Sequence, residues 1–252
     1  MKLKFTKMQG CGNDYIYCPF PPTPFPIKGQ GEEIDWPEVA RKLSDRHFGV
    51  GGDGLVLILP SEVADLRMRI FNADGSEAEM CGNASRCVGR LAIERGLVQR
   101  NPFTLETLAG IKTLAVSTSE DGAVSIRVDM GRELGNPHAV FFVDEITDEL
   151  VLGRGPQIEV APEYPNRTNV EFAHVEDRHT VRMRVWERGS GETLACGTGA
   201  CATAREAIRQ GLCDSPVTVR LRGGDLRIEM TADEQLFMTG PAEVVFEGEV
   251  EV

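Results

Sequence analysis

Two cysteines, Cys81 and Cys196, occupy matching places in two similar stretches of the chain. Each stands directly before a glycine and a run of small residues, so each is expected at a helix N-terminus. The free backbone N–H groups and partial positive charge of such a terminus lower a thiol pKa and favour the thiolate. A thiolate and a thiol facing one carbon could remove a proton from one face and return one to the other. That chemistry inverts a stereocentre next to a carboxylate.

The two cysteines belong to an internal repeat. Shifting the chain by 115 positions, the difference between 196 and 81, aligns Met68–Leu97 with Met183–Leu212 without a gap, and ten of the thirty positions are identical. A second, weaker similarity lies upstream, where Gly12-Asn13 precedes Cys81 and Gly135-Asn136 precedes Cys196 in the same order. The period has the length of a domain and not of a solenoid repeat. The chain is therefore expected to consist of two homologous domains.

Each repeat predicts a strand, a glycine-rich turn and a helix that begins just after the cysteine. The helices, Asn83–Arg95 and Thr198–Arg209, contain few large side chains, which suits a crowded position inside a sheet. The predicted fold is α+β, with two pseudo-symmetric domains, residues 1–131 and 132–252. Each domain is expected to be a mostly antiparallel sheet or barrel wrapped around a central helix. The active site is expected in the interdomain cleft, and the last strand is expected to pack on the first domain.

Gly96 and Gly211 stand where helix-ending glycines belong. A further helix, Trp36–His47, is predicted after Asp35, and the five prolines of Pro19–Pro26 predict an extended loop. Short runs of apolar and β-branched residues between turn signals predict strands. These strands are Leu55–Leu59, Arg67–Phe71, Thr113–Ser117, Val124–Val128, Val181–Trp186, Val217–Leu221 and Leu226–Met230.

Composition narrows the class of protein. The 252 residues carry a net charge of −12, with 41% hydrophobic and 26% charged residues. This composition is typical of globular proteins, and the negative charge argues against nucleic acid or anionic membrane as a partner. The N-terminal residues lack the apolar segment of a signal peptide, so a cytoplasmic protein is expected. Seven cysteines without a secretion signal predict reduced thiols and no disulfide framework.

Other site types fit the sequence less well. Cys196 and Cys201 have a spacing near that of zinc ligands, but no histidine or second pair accompanies them, so no metal is expected. A thioredoxin-like C-x-x-C pair is absent from the sequence. The loop Gly49–Gly54 matches G-x-G-x-x-G, yet a predicted helix precedes it and a strand follows it. Because dinucleotide binding needs the reverse order, the loop is kept only as a possible wall of the substrate cleft.

At four motifs the sequence closely resembles the diaminopimelate epimerase family. They are GCGNDY at Gly10–Tyr15, FNADGSEAEMCGNASRC at Phe71–Cys87, GNPH at Gly135–His138 and ERGSGETLACGTGAC at Glu187–Cys201. The likeness extends from the first residues to Thr239-Gly240. The resemblance implies interconversion of LL- and meso-2,6-diaminopimelate on the way to lysine and peptidoglycan. It also implies a small-molecule amino-acid substrate, no cofactor, a cytoplasmic location and a homodimer.

The resemblance also implies roles for individual residues. Cys81 and Cys196 match the proton donor and acceptor, and His138 and Glu187 match the residues that tune them. The remaining matches are substrate-binding residues: Asn13, Asn72, Gly82, Asn83, Asn136, Asn169, Glu187, Arg188, Gly197 and Thr198. Asparagine amides, an acid and an arginine are suitable partners for a substrate that is a zwitterion at both ends.

Two alternatives stay open. The same fold and cysteine pair serve racemases and epimerases of other amino acids, such as proline, hydroxyproline and histidine. A protein of another class would bind an amino acid without catalysis, or act as a redox switch through a Cys81–Cys196 disulfide. Glu187 followed by Arg188 favours a substrate with a distal amino acid group, since both of its charges then find partners.

Overall fold

The computed structural model describes residues 2–20 and 34–252, which form short strands and a few helices. The helices are α1 (Trp36–Ser44), α2 (Gly82–Glu94), α3 (Gly155–Glu159) and α4 (Gly197–Arg209), with a π-helical turn at Glu149–Arg154. The strands are β1 (Lys2–Gly10), β2 (Asn13–Pro19), β3 (Gly54–Leu59), β4 (Leu66–Asn72), β5 (Glu77–Ala78), β6 (Phe103–Thr107), β7 (Gly110–Thr118), β8 (Val124–Gly131), β9 (His138–Phe142), β10 (Asn169–Asp177), β11 (Thr180–Glu187), β12 (Gly191–Thr193), β13 (Val217–Leu221), β14 (Gly224–Met230), β15 (Leu236–Pro241) and β16 (Glu243–Glu251).

The described chain forms two compact units. The first contains the residues up to Ile126 together with Ala242–Val252, and the second contains Arg127–Pro241. The change of unit falls within β8, the strand in which the predicted boundary near residue 131 also lies. The predicted α+β fold with two pseudo-symmetric domains is confirmed, as a mixed sheet with helices.

In the first unit the strand order is β16-β1-β2-β3-β4-β6-β7. The last strand of the chain, β16, pairs antiparallel with β1 from Lys2↔Glu251 to Gln9↔Glu243. Most of the other pairings are also antiparallel, while β2–β3 and β4–β6 are parallel. Short β5 pairs with β4 and leads to the start of α2.

Helix α2 packs against β1, β2 and β7 and is buried along most of its length. Its small residues are needed there: a Cβ added at Gly89 would lie 2.9 Å from Ile126 Cγ2 and 3.2 Å from Leu114 Cδ2. The helix ends before Gly96, whose φ of +63° belongs to the left-handed region where glycine is favoured. The predicted central helix Asn83–Arg95 is confirmed, and both of its ends lie one residue earlier than predicted.

In the second unit the order is β15-β14-β13-β11-β10-β9, with β9–β10 and β11–β13 parallel. Helix α4 packs against β9, β10, β11, β13, β14 and β15, and it confirms the predicted second central helix. Gly211, at φ +70°, follows its end as Gly96 follows that of α2. The π-helical turn and α3 cover a small apolar cluster around Val151, Val170 and Phe172.

Helix α1 begins where it was predicted to begin, because Asp35 Oδ1 accepts a hydrogen bond from the Glu38 backbone N–H at 3.0 Å. It ends at Ser44, three residues before the predicted end. Asp45 stops it: its Oδ1 accepts from the backbone N–H groups of His47 and Phe48, each at 2.7 Å. An aspartate that bonds its own following backbone favours a turn over a continued helix.

The predicted strands are all present, most of them with one to three additional residues at an end. Pro19 is the final residue of β2, while the predicted extended loop from residue 21 to 26 lies outside the described residues. Within the described ranges, none of the helices has the length and apolar character needed to span a membrane.

Candidate active site

Cys81 is the N-cap residue of α2. Its extended backbone, with φ −135° and ψ 119°, turns the chain from the β5 hairpin into the helix, and its thiol does not cap the helix. The Cys81 carbonyl accepts from both the backbone N–H and the hydroxyl of Ser85, each at 2.9 Å. The half-buried thiol donates to Asn13 Oδ1 at 3.4 Å. The thiol thus faces a side chain that the sequence had assigned to substrate binding.

Asn13 is placed by the turn between β1 and β2. Its Oδ1 accepts from Cys81 Sγ and, at 3.3 Å, from Asn83 Nδ2, so three predicted site residues meet here. Its Nδ2 donates to Asp53 Oδ2 at 2.6 Å, and the same oxygen accepts from the Asp14 backbone N–H at 3.0 Å. Asp53 therefore fixes the orientation of the Asn13 amide. We name Cys81, Asn13, Asn83 and Asp53 the first half-site.

Sequence interpretation missed Asp53, although it lies in the loop kept as a possible cleft wall. The loop is held by buried Lys7, which donates to the Gly51 carbonyl and pairs with Asp14 at 2.7 Å. Arg46 also pairs with Asp14 and Asp53, at 2.7 and 3.0 Å. The signal for Asp53 was weak, because its role depends on the parallel pairing of β2 with β3, which the sequence does not display.

Two further predicted residues of the first unit have simpler surroundings. Asn72 ends β4, and its Nδ2 donates to Ser76 Oγ at 3.0 Å. Gly82 is buried in the first turn of α2, where backbone N–H groups have no helical acceptor. Contacts of Asn72 and Gly82 with a substrate stay predictions.

Cys196 is the N-cap residue of α4, and its φ of −120° and ψ of 110° lie within 15° of the values at Cys81. Its Sγ accepts from the Gly199 backbone N–H at 3.4 Å and lies 3.5 Å from Thr198 Oγ1. Gly197 is buried beside it, as Gly82 is beside Cys81. The repeat thus gives both cysteines the same place relative to their helices.

The electrostatic surroundings of Cys196 oppose the thiolate. Burial raises the pKa of its thiol well above the usual value, and the charges of Glu187 and Glu171 add to the rise. Its hydrogen bonds to Thr198 and Gly199 lower the pKa by less. The predicted lowering of the thiol pKa is therefore wrong for Cys196, because desolvation and two carboxylates outweigh the helix N-terminus. The raised pKa favours the protonated thiol, which is the form that can donate a proton.

Glu187, at the end of β11, lies next to this thiol. Burial raises the pKa of its carboxyl, while hydrogen bonds from Thr193 and Cys196 oppose the rise. Thr193 Oγ1 donates to Glu187 Oε1 in a short contact. A carboxyl group with a raised pKa beside a thiol can share a proton with it, which fits the role that resemblance assigned to Glu187.

His138 begins β9, and its Nδ1 lies 2.7 Å from Oε1 of Glu171 on the neighbouring strand β10. The two side chains are 4% and 0% exposed. Glu171 was missed by the sequence interpretation, although a lone carboxylate inside the apolar run Val170–Ala173 was a usable signal. We name Cys196, Glu187, His138 and Glu171 the second half-site.

Asn169 and Arg188 meet in the second unit. Asn169 Oδ1 accepts from the Arg188 backbone N–H at 2.8 Å, and Arg188 Nη1 donates to the Asn166 carbonyl at 3.2 Å. Buried Glu159 supports the loop that carries Arg188, since its carboxylate accepts from Gly189 N at 2.9 Å and Trp186 Nε1 at 2.8 Å. Glu159 was also missed by the sequence interpretation.

Asn136 lies exposed in the turn before β9. Its substrate contact stays a prediction. The described residues contain no group of three or more His, Cys, Asp or Glu side chains arranged to hold a metal ion. The described site residues include thiols, carboxyls and an imidazole, which are groups that can transfer protons.

Comparison with known proteins gives a consistent result. The family model for diaminopimelate epimerase matches residues 5–134 and, a second time, residues 132–245. Two consecutive matches agree with the internal repeat.

Relatives are similar along the whole chain. A diaminopimelate epimerase of Methanococcus maripaludis is 44% identical over 287 aligned residues, covering 99% of this chain and 100% of its own. The enzyme of Acetivibrio thermocellus is 46% identical and that of Desulfovibrio desulfuricans 48%, with 99% and 98% of both chains covered.

Solved structures of low sequence identity share the fold. A phenazine biosynthesis protein of the PhzF family from Enterococcus faecalis has a TM-score of 0.72 at 14% identity, with 100% of both chains covered. A hydroxyproline epimerase from Agrobacterium vitis has a TM-score of 0.65 at 17% identity, covering 99% of this chain and 92% of its own. At these identities the likeness shows the fold alone.

Proposed function

The chain belongs to the diaminopimelate epimerase family, and from that premise we propose that it interconverts LL- and meso-2,6-diaminopimelate by proton transfer between Cys81 and Cys196. It is an isomerase of amino-acid biosynthesis, acting on a precursor of lysine and peptidoglycan. The observation that carries the proposal is the placement of these two cysteines. Each is the N-cap of a buried central helix, at equivalent positions of a chain that matches diaminopimelate epimerases along its whole length.

In the proposed reaction Cys81 acts first as a thiolate and removes the proton on the α-carbon. The electron pair of the broken C–H bond stays on carbon and spreads into the adjacent carboxylate. The thiol of Cys196 then delivers its proton to the opposite face, leaving Cys81 as the thiol and Cys196 as the thiolate. The reverse reaction uses the same groups with exchanged roles. The raised pKa of the Cys196 thiol supports its assignment as the group that holds the proton at rest.

The first turns of α2 and α4 supply the second part of the mechanism. Backbone N–H groups at a helix N-terminus bind a carboxylate and stabilise the negative charge that develops on it. We propose that Gly82-Asn83 and Gly197-Thr198 do this for the reacting end of the substrate. The proposal needs no cofactor, because the helix termini stabilise the charge that a cofactor would otherwise take up.

For binding the two charged ends of the substrate we propose the amides of Asn13, Asn72, Asn136 and Asn169 together with Glu187 and Arg188. A second amino acid group carries both charges, and the paired acid and arginine can neutralise them. The reaction requires that the two half-sites face one substrate, so we also propose an interdomain cleft between residues 1–131 and 132–252. A cytoplasmic homodimer completes the proposal.

The proposal is tested by incubating reduced protein with LL-diaminopimelate in D₂O and following stereochemistry by chiral chromatography and α-deuterium by mass. We expect the meso isomer with solvent deuterium. Cys81→Ala and Cys196→Ala should each abolish inversion.

Cys213→Ala is the matched control, since its thiol lies beyond α4 and donates to the Asp177 carbonyl. Absence of inversion in the wild type would refute the substrate assignment, and proline or histidine in the same assay would test the alternative. Inversion that survives loss of either cysteine would refute the two-thiol mechanism.

A further inference from the structure

We propose that Glu171 is a positioning residue for His138: it holds the imidazole proton on Nδ1 and so presents Nε2 as the proton-accepting atom. The inference rests on the proposed function for its place in the reaction. The proton position itself is a property of the protein alone. Glu171 has no role in the resemblance from which the other site residues were assigned.

The first argument is the surroundings of Glu171. Its carboxyl lies in the core of the second unit, with His138 Nδ1 at 2.7 Å from Oε1. Among the described residues no hydrogen-bond partner is found for Glu171 Oε2. A buried carboxylate with one good partner costs folding free energy, because its desolvation is only partly offset. A buried pair of this kind is weak evidence of stabilisation, whereas a role at the site gives a reason for it.

The second argument is the logic of donors and acceptors. Burial raises the pKa of the Glu171 carboxyl, and the hydrogen bond with His138 opposes that rise. In its ionised form the carboxylate only accepts, so the nitrogen that it contacts then carries a hydrogen. With the hydrogen on Nδ1, a neutral imidazole has its lone pair on Nε2. His138 Nε2 is buried and has no hydrogen-bond partner among the described residues. It is thus available to exchange a proton with a substrate or a site group, which is the arrangement of carboxylate–histidine pairs in hydrolases.

The third argument is the contact between Glu171 and the first turn of α4. A Cβ added at Gly199 would lie 2.7 Å from Glu171 Oε1, and the Gly199 N–H donates to Cys196 Sγ. Glu171 therefore touches both the imidazole and the turn that holds the thiol. His138 interacts with the carboxyl groups of Glu171 from β10 and Glu187 from β11, and the charges of both carboxylates act on Cys196 at the start of α4. One carboxylate thus couples two of the predicted catalytic residues.

The proton position can be measured without substrate by long-range ¹H–¹⁵N spectra of uniformly labelled protein. The chain has four histidines, and the His138 signals are assigned by their loss in His138→Gln. We expect the wild type to show Nδ1 protonated and Nε2 bare. Glu171→Gln can still accept through its amide oxygen and should keep this tautomer. Glu171→Leu removes the acceptor and should shift His138 towards the Nε2–H form.

The kinetic readout separates positioning from a structural role. In Glu171→Leu we expect kcat to fall at least about tenfold, since a mispositioned acid or base loses a large part of its contribution, with KM changed less than about twofold. Glu176→Gln is the matched control, because Glu176 lies on the same strand with an exposed carboxylate paired to Arg182 and Arg220. It should leave both the tautomer and kcat unchanged.

An Nε2–H tautomer in the wild type, or an unchanged tautomer in Glu171→Leu, would overturn the inference. Equal losses of kcat in Glu171→Leu and Glu176→Gln would do the same. Because the spectra need no substrate, a failure of the epimerase assignment would leave the tautomer result intact, and the two failures can be told apart.

Discussion

Replacing Asp53 by alanine tests whether the first half-site is held by the network seen in the structure. Asp53 Oδ2 accepts from Asn13 Nδ2 and from the Asp14 backbone N–H, and Oδ1 accepts from Arg46. Each of the two part-buried hydrogen bonds contributes about 0.5–1.5 kcal/mol to stability. The exposed ion pair with Arg46 contributes about 0–1 kcal/mol. We therefore expect Asp53→Ala to lower the free energy of unfolding by about 1–4 kcal/mol.

The effect on activity should exceed what stability alone explains. Without Asp53 the Asn13 amide keeps its contacts with Cys81 and Asn83 but loses its shortest anchor. If the mispositioned Asn13 amide raises the activation free energy by about 1.4 kcal/mol, kcat falls tenfold. Thermal unfolding should show a midpoint lowered by roughly 2–16 °C, using about 2–4 °C per kcal/mol for a protein of this size. Initial rates at 20 °C, where the variant stays folded, measure kcat.

Asp65→Ala is a matched control in the same unit. Asp65 Oδ2 accepts from the Thr104 N–H and hydroxyl at 2.7 and 2.8 Å and pairs with exposed Arg100, so it makes a comparable set of bonds away from Cys81. It should lower the unfolding midpoint by a similar amount and leave kcat unchanged. Equal kcat for Asp53→Ala and the wild type would refute the assignment of Asp53 as the anchor of Asn13, as would an equal loss in Asp65→Ala.

Three more predictions follow from the same contacts. In Glu187→Gln the pKa of the Cys196 thiol should fall, because a negative charge that opposes the thiolate is removed. Labelling of Cys196 by iodoacetamide, mapped by mass spectrometry, should therefore begin at lower pH. An unchanged pH dependence of labelling would contradict the claim that the Glu187 charge raises this pKa. Glu159→Gln should weaken the hydrogen bonds that hold the loop carrying Arg188. We expect KM to rise severalfold with a smaller change in kcat, and the fluorescence of Trp186 to shift. A change in kcat alone would argue against a role of Glu159 in supporting this loop. Gly54→Ala should lower the midpoint of thermal unfolding, because the added Cβ would lie 2.2 Å from the Phe71 carbonyl oxygen. Overpacking of this kind costs about 1–3 kcal/mol or more. An unchanged midpoint would contradict the expected clash and show that β3 and β4 can separate to admit the methyl group.

The repeat made the two central helices and their N-cap cysteines predictable. Small residues after Cys81 and Cys196, and glycines at 96 and 211, mark both helices, and the structure confirms them to within one residue at either end. These features are local, so a single sequence displays them. The end of α1 was predicted wrongly because an aspartate such as Asp45 is compatible both with a continuing helix and with a turn. In the structure its side chain accepts hydrogen bonds from the backbone N–H groups that follow it, and this favours the turn.

The supporting residues of the site were not predictable in the same way. Asp53 and Glu171 act through pairings of parallel strands, β2 with β3 and β9 with β10, whose register the sequence does not display. The pKa of Cys196 was misjudged for a related reason. The helix N-terminus is a local feature, whereas burial and the positions of the Glu171 and Glu187 carboxylates depend on how β10 and β11 pack around α4.

The pairing of β16 with β1 has a consequence for how the protein is made. Because β16 follows the whole second unit in the chain, the ribosome makes the partner of one edge of β1 only after residues 127–241. Until then β1 has β2 on one side and an open backbone edge on the other, and an open edge can pair with another chain. Domains generally fold as units during synthesis, but here the first unit is incomplete until the segment Ala242–Val252, which follows the second unit in the chain, has been made. Removing these residues should therefore impair the unit that is synthesised first and promote its aggregation.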